Sequence, residues 1–72
     1  MTLPERIAAH KTALKVGEAA ELLGCSEGKL YAMIRNNKIP YFCVGSLKRF
    51  EPRILAKWLE TQTIIPRDFR IE

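Results

Sequence analysis

Long apolar runs, glycine-rich loops and histidine are all scarce in this 72-residue chain. No stretch approaches the ~20 apolar residues of a membrane span. No charged-then-apolar leader precedes the rest, so the expected setting is the cytoplasm, where thiols stay reduced. One histidine, His10, and two cysteines without a CxxC spacing leave no zinc ligand set. No nucleophile–base or phosphate-loop constellation is present, so no catalytic residue, cofactor or metal is expected, and the protein is not read as an enzyme. His10 reads as a solvated helix residue. A disulfide between Cys25 and Cys43 needs Cα atoms within about 7 Å, which spacing does not show. In a reducing compartment both read as free thiols, packed in the core like small apolar residues.

What is present is a foldable composition with lopsided charge. Hydrophobic residues make up 47% of the chain and charged ones 28%, which excludes disorder throughout. A chain this short forms one small domain with a thin core. The net charge is +4, and its placement matters more than its size. Residues 1–26 carry three basic and three acidic side chains, and residues 61–72 carry two of each. Residues 27–60 carry seven basic and three acidic, so the whole excess lies there. This is the footprint of a surface that faces a polyanion.

Residues 24–40 organise the rest. Gly24-Cys25-Ser26 form a turn, and Ser26 is a helix N-cap whose oxygen can accept from the free N–H groups of the first turn. Glu27 suits the positive end of the helix dipole. Leu30, Met33 and Ile34 make one apolar face, with Lys29, Ala32, Arg35 and Asn36 largely on the other. Asn36-Asn37 tolerate a left-handed closing conformation, and Pro40 prevents resumption. Upstream, Leu14-Lys15-Val16 is extended, and Val16, Ala19, Ala20 and Leu23 recur as an amphipathic helix over residues 17–23 that Gly24 closes. Two short helices joined at Gly24 form a helix-turn-helix unit, with the second as the DNA-reading helix.

The period then changes. Tyr41-Phe42-Cys43-Val44, a Gly45-Ser46 turn and Leu47-Lys48-Arg49-Phe50 read as a β-hairpin wing. A two-residue loop pairs Val44 with Leu47, and a four-residue loop pairs Val44 with Arg49. Both registers place Tyr41, Cys43 and Phe50 on one face, taken as the core face. Pro52 opens the next helix, with Ile54, Leu55, Trp58 and Leu59 as its apolar stripe and Trp58 as the central plug. At the front, Thr2, Pro4 and Glu5 start an accessory helix within residues 1–13, whose narrow stripe of Leu3, Ile7 and Leu14 packs on the domain or mediates self-association. Residues 61–72 lack a period. Ile64, Ile65, Phe69 and Ile71 pack back, meet a partner, or belong to a frayed tail.

Several segments carry a family resemblance. They are V-G-E-A-A-E-L-L-G-C-S from Val16, L-Y-A-M-I-R from Leu30, Ile39-Pro40, Val44-Gly45, Arg49-Phe50 and L-A-K-W-L from Leu55. Over residues 14–60, without a gap, the chain resembles the excisionase-type, MerR-like winged helix-turn-helix family. The resemblance implies a mostly α fold with a small β-hairpin, here with an extra N-terminal helix. The division is then an accessory helix at 1–13, the winged domain at 14–60 and a tail at 61–72. It also implies double-stranded DNA as partner. Family members act as recombination directionality factors of mobile elements, as transcriptional regulators, or as small DNA-binding proteins without an assigned role.

Carried over by position, Ser26, Lys29, Ala32 and Arg35 occupy the groove-facing positions, and Lys48 and Arg49 the wing. Asn36 is added from its place on the same helix face, for an adenine or a phosphate. The chain departs from the pattern at Glu27 and Ala32, where the family often has basic residues, at Gly28, and at Lys48, where it has tryptophan. One such module is small, so cooperative or dimeric binding on repeated sites is expected, with a recombinase as a further partner. The competing reading is a protein-interaction module on the same fold.

Overall fold

A computed structural model of the chain describes residues 1–68. Four helices enclose the core, and a three-stranded antiparallel sheet of order β1-β3-β2 closes one side.

Helix α1 (Leu3–Ala8) begins in a reciprocal cap. The Thr2 Oγ1 accepts from the Glu5 N–H at 3.3 Å, and the Glu5 carboxylate accepts from the Thr2 N–H at 3.0 Å. The Thr2 N–H and hydroxyl both donate to the carboxylate and favour its charged form, which holds the Glu5 carboxyl below its ordinary range. The helix is shorter than residues 1–13. It packs along α4, with Ile7 fully buried.

Leu14–Lys15 forms β1, and α2 (Val16–Leu23) follows directly. The Glu18 carboxylate accepts from the Lys15 N–H at 2.9 Å and anchors its first turn. Gly24 closes α2 with φ 73, a left-handed conformation in which a Cβ is strained. There the Cys25 N–H reaches the Ala20 carbonyl and the Gly24 N–H the Glu21 carbonyl. This pair of bonds satisfies carbonyls that a helix end otherwise leaves open. Helix α3 (Glu27–Arg35) ends in the same way. Asn37 adopts φ 53, and Lys38 and Asn37 donate to Met33 and Ile34.

Strands β2 (Phe42–Val44) and β3 (Leu47–Phe50) pair Val44 with Leu47, so the wing has the two-residue loop. Gly45 takes φ 62 and Ser46 stays at negative φ, as a Gly-X turn requires. On the other edge of β3, Leu14 pairs with Phe50 and Lys15 with Arg49. This third strand was not expected. Two residues carry no period, and only the neighbouring β3 makes them a strand. Glu51 caps α4 (Pro52–Gln62), its carboxylate accepting from the Ile54 N–H at 2.8 Å.

Phe50, Ile7, Leu14, Leu30 and Leu55 are the largest fully buried side chains, joined by Val16, Ala19, Ala20, Ile34, Ile39 and Ala56. Four expectations are corrected here. Trp58 is only half-buried and packs at the margin, because its indole N–H donates to the Lys38 carbonyl at 3.1 Å near the surface. Phe50 takes the centre instead. The buried stripe of α4 runs through Pro52, Leu55 and Ala56, with Leu59 half-buried, leaving Ile54 55% exposed. Helix α1 packs along α4 and is the neighbour that sets its buried side. Tyr41 and Cys43 share a sheet face with Phe50 but are exposed, because β2 is the edge strand farthest from the helices. Cys25 is exposed as well, in the turn between α2 and α3, and both cysteines are free. In the tail, Ile64 and Ile65 are exposed, while Phe69 and Ile71 lie outside the described residues.

Candidate nucleic-acid interface

The second helix of the unit is built to show one face. Leu30 and Ile34 bury against α2 and the core at 1% and 2% exposure, which turns Gly28, Lys29, Arg35 and Asn36 to solvent. Ala32 lies between them, half-buried. Ser26 holds the start of the helix: its Oγ accepts from the Lys29 N–H at 3.1 Å. Asn36 holds the end, its N–H donating to the Ala32 carbonyl at 3.1 Å. Both therefore have structural duties, and each keeps exposed polar atoms.

The wing stands beside this helix across an open notch. Lys15, Gly17, Glu27, Tyr31, Lys48 and Arg49 are among its lining residues. The structure thus brings Lys48 and Arg49 next to the row of α3 that carries Glu27, Tyr31 and Arg35, each four residues apart. Lys29 and Asn36 flank the other side of that helix face. Arg49 is half-buried, and its Nη1 donates to the Lys48 carbonyl at 2.8 Å, which commits one of its five donors within the wing.

Two residues of this surface were missed in the sequence. Lys15 belongs to the charge-neutral first part of the chain, yet β1–β3 pairing sets it opposite Arg49. No local signal marks it, because the contact spans the whole helix-turn-helix. Tyr31, 40% exposed, was legible from its spacing to Glu27 and Arg35.

The Glu27 side chain reaches back from α3 toward α2. Its Oε2 lies 3.3 Å from the place a Cβ would occupy on Gly17. The carboxylate is turned onto the first turn of α2. A Cβ on Gly17 would crowd that carboxylate. A Cβ on Gly28 would meet nothing nearer than the Ser26 Oγ at 3.9 Å, so the backbone there is open to an approaching group.

No polar or charged residue is buried among the described residues. No group of three or more His, Cys, Asp or Glu among them is placed to hold a metal ion. No helix among them is long and apolar enough to cross a membrane.

Comparison with known protein families gives a match. The model of a helix-turn-helix domain family covers residues 13–63. No curated protein and no solved structure matches the chain. The matched span holds β1, the α2–Gly24–α3 unit, the wing and all of α4. The chain belongs to the helix-turn-helix domain family.

Proposed function

We propose that this protein binds double-stranded DNA sequence-specifically, as an excisionase-type recombination directionality factor or a small transcriptional regulator of the MerR-like winged kind. The observation that carries the reading is the exposed face of α3, with Lys29 and Arg35 upon it, standing beside the basic wing. In this reading α3 enters the major groove, which is wide enough to admit a helix. Arg35 or Lys29 donates to guanine O6 and N7. Ala32 touches a thymine methyl, and Asn36 meets an adenine edge or a phosphate. Lys48, Arg49 and Lys15 take the adjacent backbone or minor groove. The open backbone at Gly28, beside the Ser26 cap, lets a phosphate approach the start of α3. The protein acts in the cytoplasm without a cofactor or catalytic set, and cooperates with further copies and, for excision, with a recombinase.

Selection from random duplexes, followed by titration at two salt concentrations, tests this. The expected result is an enriched motif and an affinity whose log–log salt slope steepens by about 0.9 per neutralised phosphate. Binding that is weak and indifferent to sequence would sink the specific-reader claim. A second reading, a protein-interaction module, draws on Val44 and Leu47, which are 58% and 53% exposed beside the wing turn. Absence of duplex binding at low salt would favour it.

A further inference from the structure

An open apolar groove lies on the side of α4 that faces away from the core. Pro40, Ile54 and Trp58 line it, and it continues past Tyr41 and Phe42 on the edge of the sheet. Ile54 is 55% exposed, and Phe42 and Tyr41 are 38% and 37% exposed. None of the DNA-facing residues named above lines it. Apolar surface that is contiguous and rimmed by polar residues offers a place for an apolar segment to dock.

The same chain carries a segment suited to fill it. Beyond α4, Ile64 and Ile65 are 90% and 61% exposed. Thr63 is extended, with φ −77 and ψ 123, and three β-branched residues followed by Pro66 keep the segment stiff and extended. Stiffness lowers the ordering cost of docking. The segment is poorly placed to dock on its own chain. Glu60 and Thr61 line the near end of the groove, so the chain would have to reverse immediately after Gln62. Residues 63–66 contain no glycine for such a reversal, and extended Thr63 leads onward instead. A neighbouring copy meets no such constraint. Glu51, Lys57 and Glu60 rim the groove, and the charged pair Arg67-Asp68 follows the apolar segment directly.

We propose that residues 63–66 of one copy dock in the Pro40–Ile54–Trp58 groove of the next, so that copies associate head to tail. Such a contact is heterologous, and in the open form proposed here, in which the rotation closes no ring, it leaves one groove and one tail free at the ends. So short a segment buries far less than the ~800 Å² per partner of a stable complex, and association is weak in dilute solution. The inference stands whether or not the protein binds DNA, and its test uses none.

The test is sedimentation of the full chain at rising concentration, with the emission of Trp58, the one tryptophan, as a local reporter. The expected result is an average mass that rises past the dimer without a ceiling, while Trp58 emission moves to shorter wavelength. Ile54→Glu removes the groove and Ile64→Glu the tail. Both positions are exposed, and a circular dichroism spectrum like that of wild type shows that each variant is folded. Each variant alone is expected to stay monomeric, and a mixture of the two to form one-to-one complexes only. A wild type that stays monomeric at every concentration, a ceiling at the dimer, a mixture that forms no complex, or I64E associating like wild type would overturn the proposal.

Discussion

Helix α3 and the wing treat similar apolar residues in opposite ways. Leu30 and Ile34 on the helix are 1% and 2% exposed, whereas Val44 and Leu47 on the wing are 58% and 53% exposed. The helix has neighbours along one whole face, so its apolar stripe is covered and its other face is left polar. The wing is a ribbon whose outer strand has no second layer behind it, and two strands alone are marginal. It is held at its base, where Phe50 is buried and β1 pairs with β3. The difference teaches that the exposed side of α3 is a by-product of burial, while the wing is positioned by a few anchors and tolerates change toward its tip.

The largest expected effect sharpens that contrast within one hairpin. Phe50→Ala is expected to cost about 3–5 kcal/mol, since it empties the centre of the core. Val44→Ala, on the neighbouring strand near the turn, should stay within about 0.5 kcal/mol. Urea denaturation followed by circular dichroism measures both. Similar costs at the two positions would break the contrast.

Next comes the proposed division of labour in DNA binding. Arg35→Ala is expected to lose about 1–3 kcal/mol of discrimination between duplexes, as befits a contact to base edges. Lys48→Ala should weaken all duplexes alike and lower the log–log salt slope by about 0.9. A duplex library titrated at two salt concentrations separates the two. If both variants bind as wild type does, the assignment of contacts to helix and wing fails.

A smaller effect tests how firmly α3 is held. Ser26→Ala removes the acceptor for the Lys29 N–H and is expected to cost about 1 kcal/mol, whereas Ser26→Gly costs only a few tenths. Thermal unfolding with calorimetry gives the difference.

The smallest effect lies at α1. Because Thr2 lowers the Glu5 pKa, the contribution of the cap is present above the ordinary glutamate range. It is lost as pH falls through the lowered value. Amide exchange across an acid titration should show α1 loosening before the wing in wild type. In Glu5→Gln, α1 should lack that acid-dependent step. Glu5 is exposed, so the step is slight.

Much of the fold was legible because its signals are local. Gly24 at positive φ, the Ser26 cap, the left-handed Asn37 and the Gly45-Ser46 turn each follow from residue chemistry over three or four positions. The α3 face was equally legible, since the spacing of Leu30 and Ile34 places Lys29, Ala32 and Arg35 by elimination. Lys15 was not legible, because its place beside Arg49 depends on a strand two residues long. The turn of Glu27 onto α2 was hidden for a similar reason: it depends on Gly17, at the start of the preceding helix. Trp58 misled because size suggests a core centre, while its N–H needs a partner that lies near the surface.

By itself, then, the sequence determined the helix-turn-helix unit, the presence and turn of the wing, and the basic character of residues 27–60. Each rests on period, caps or charge, which act between near neighbours. Tertiary structure alone decided which of several similar side chains are covered. It put Phe50 rather than Trp58 at the centre, rotated the stripe of α4 toward α1, and left Cys43 and Tyr41 in solvent on the sheet edge. It also brought Lys15 to the wing. Burial and strand pairing depend on what stands opposite in space, and contacts across the whole unit decide that.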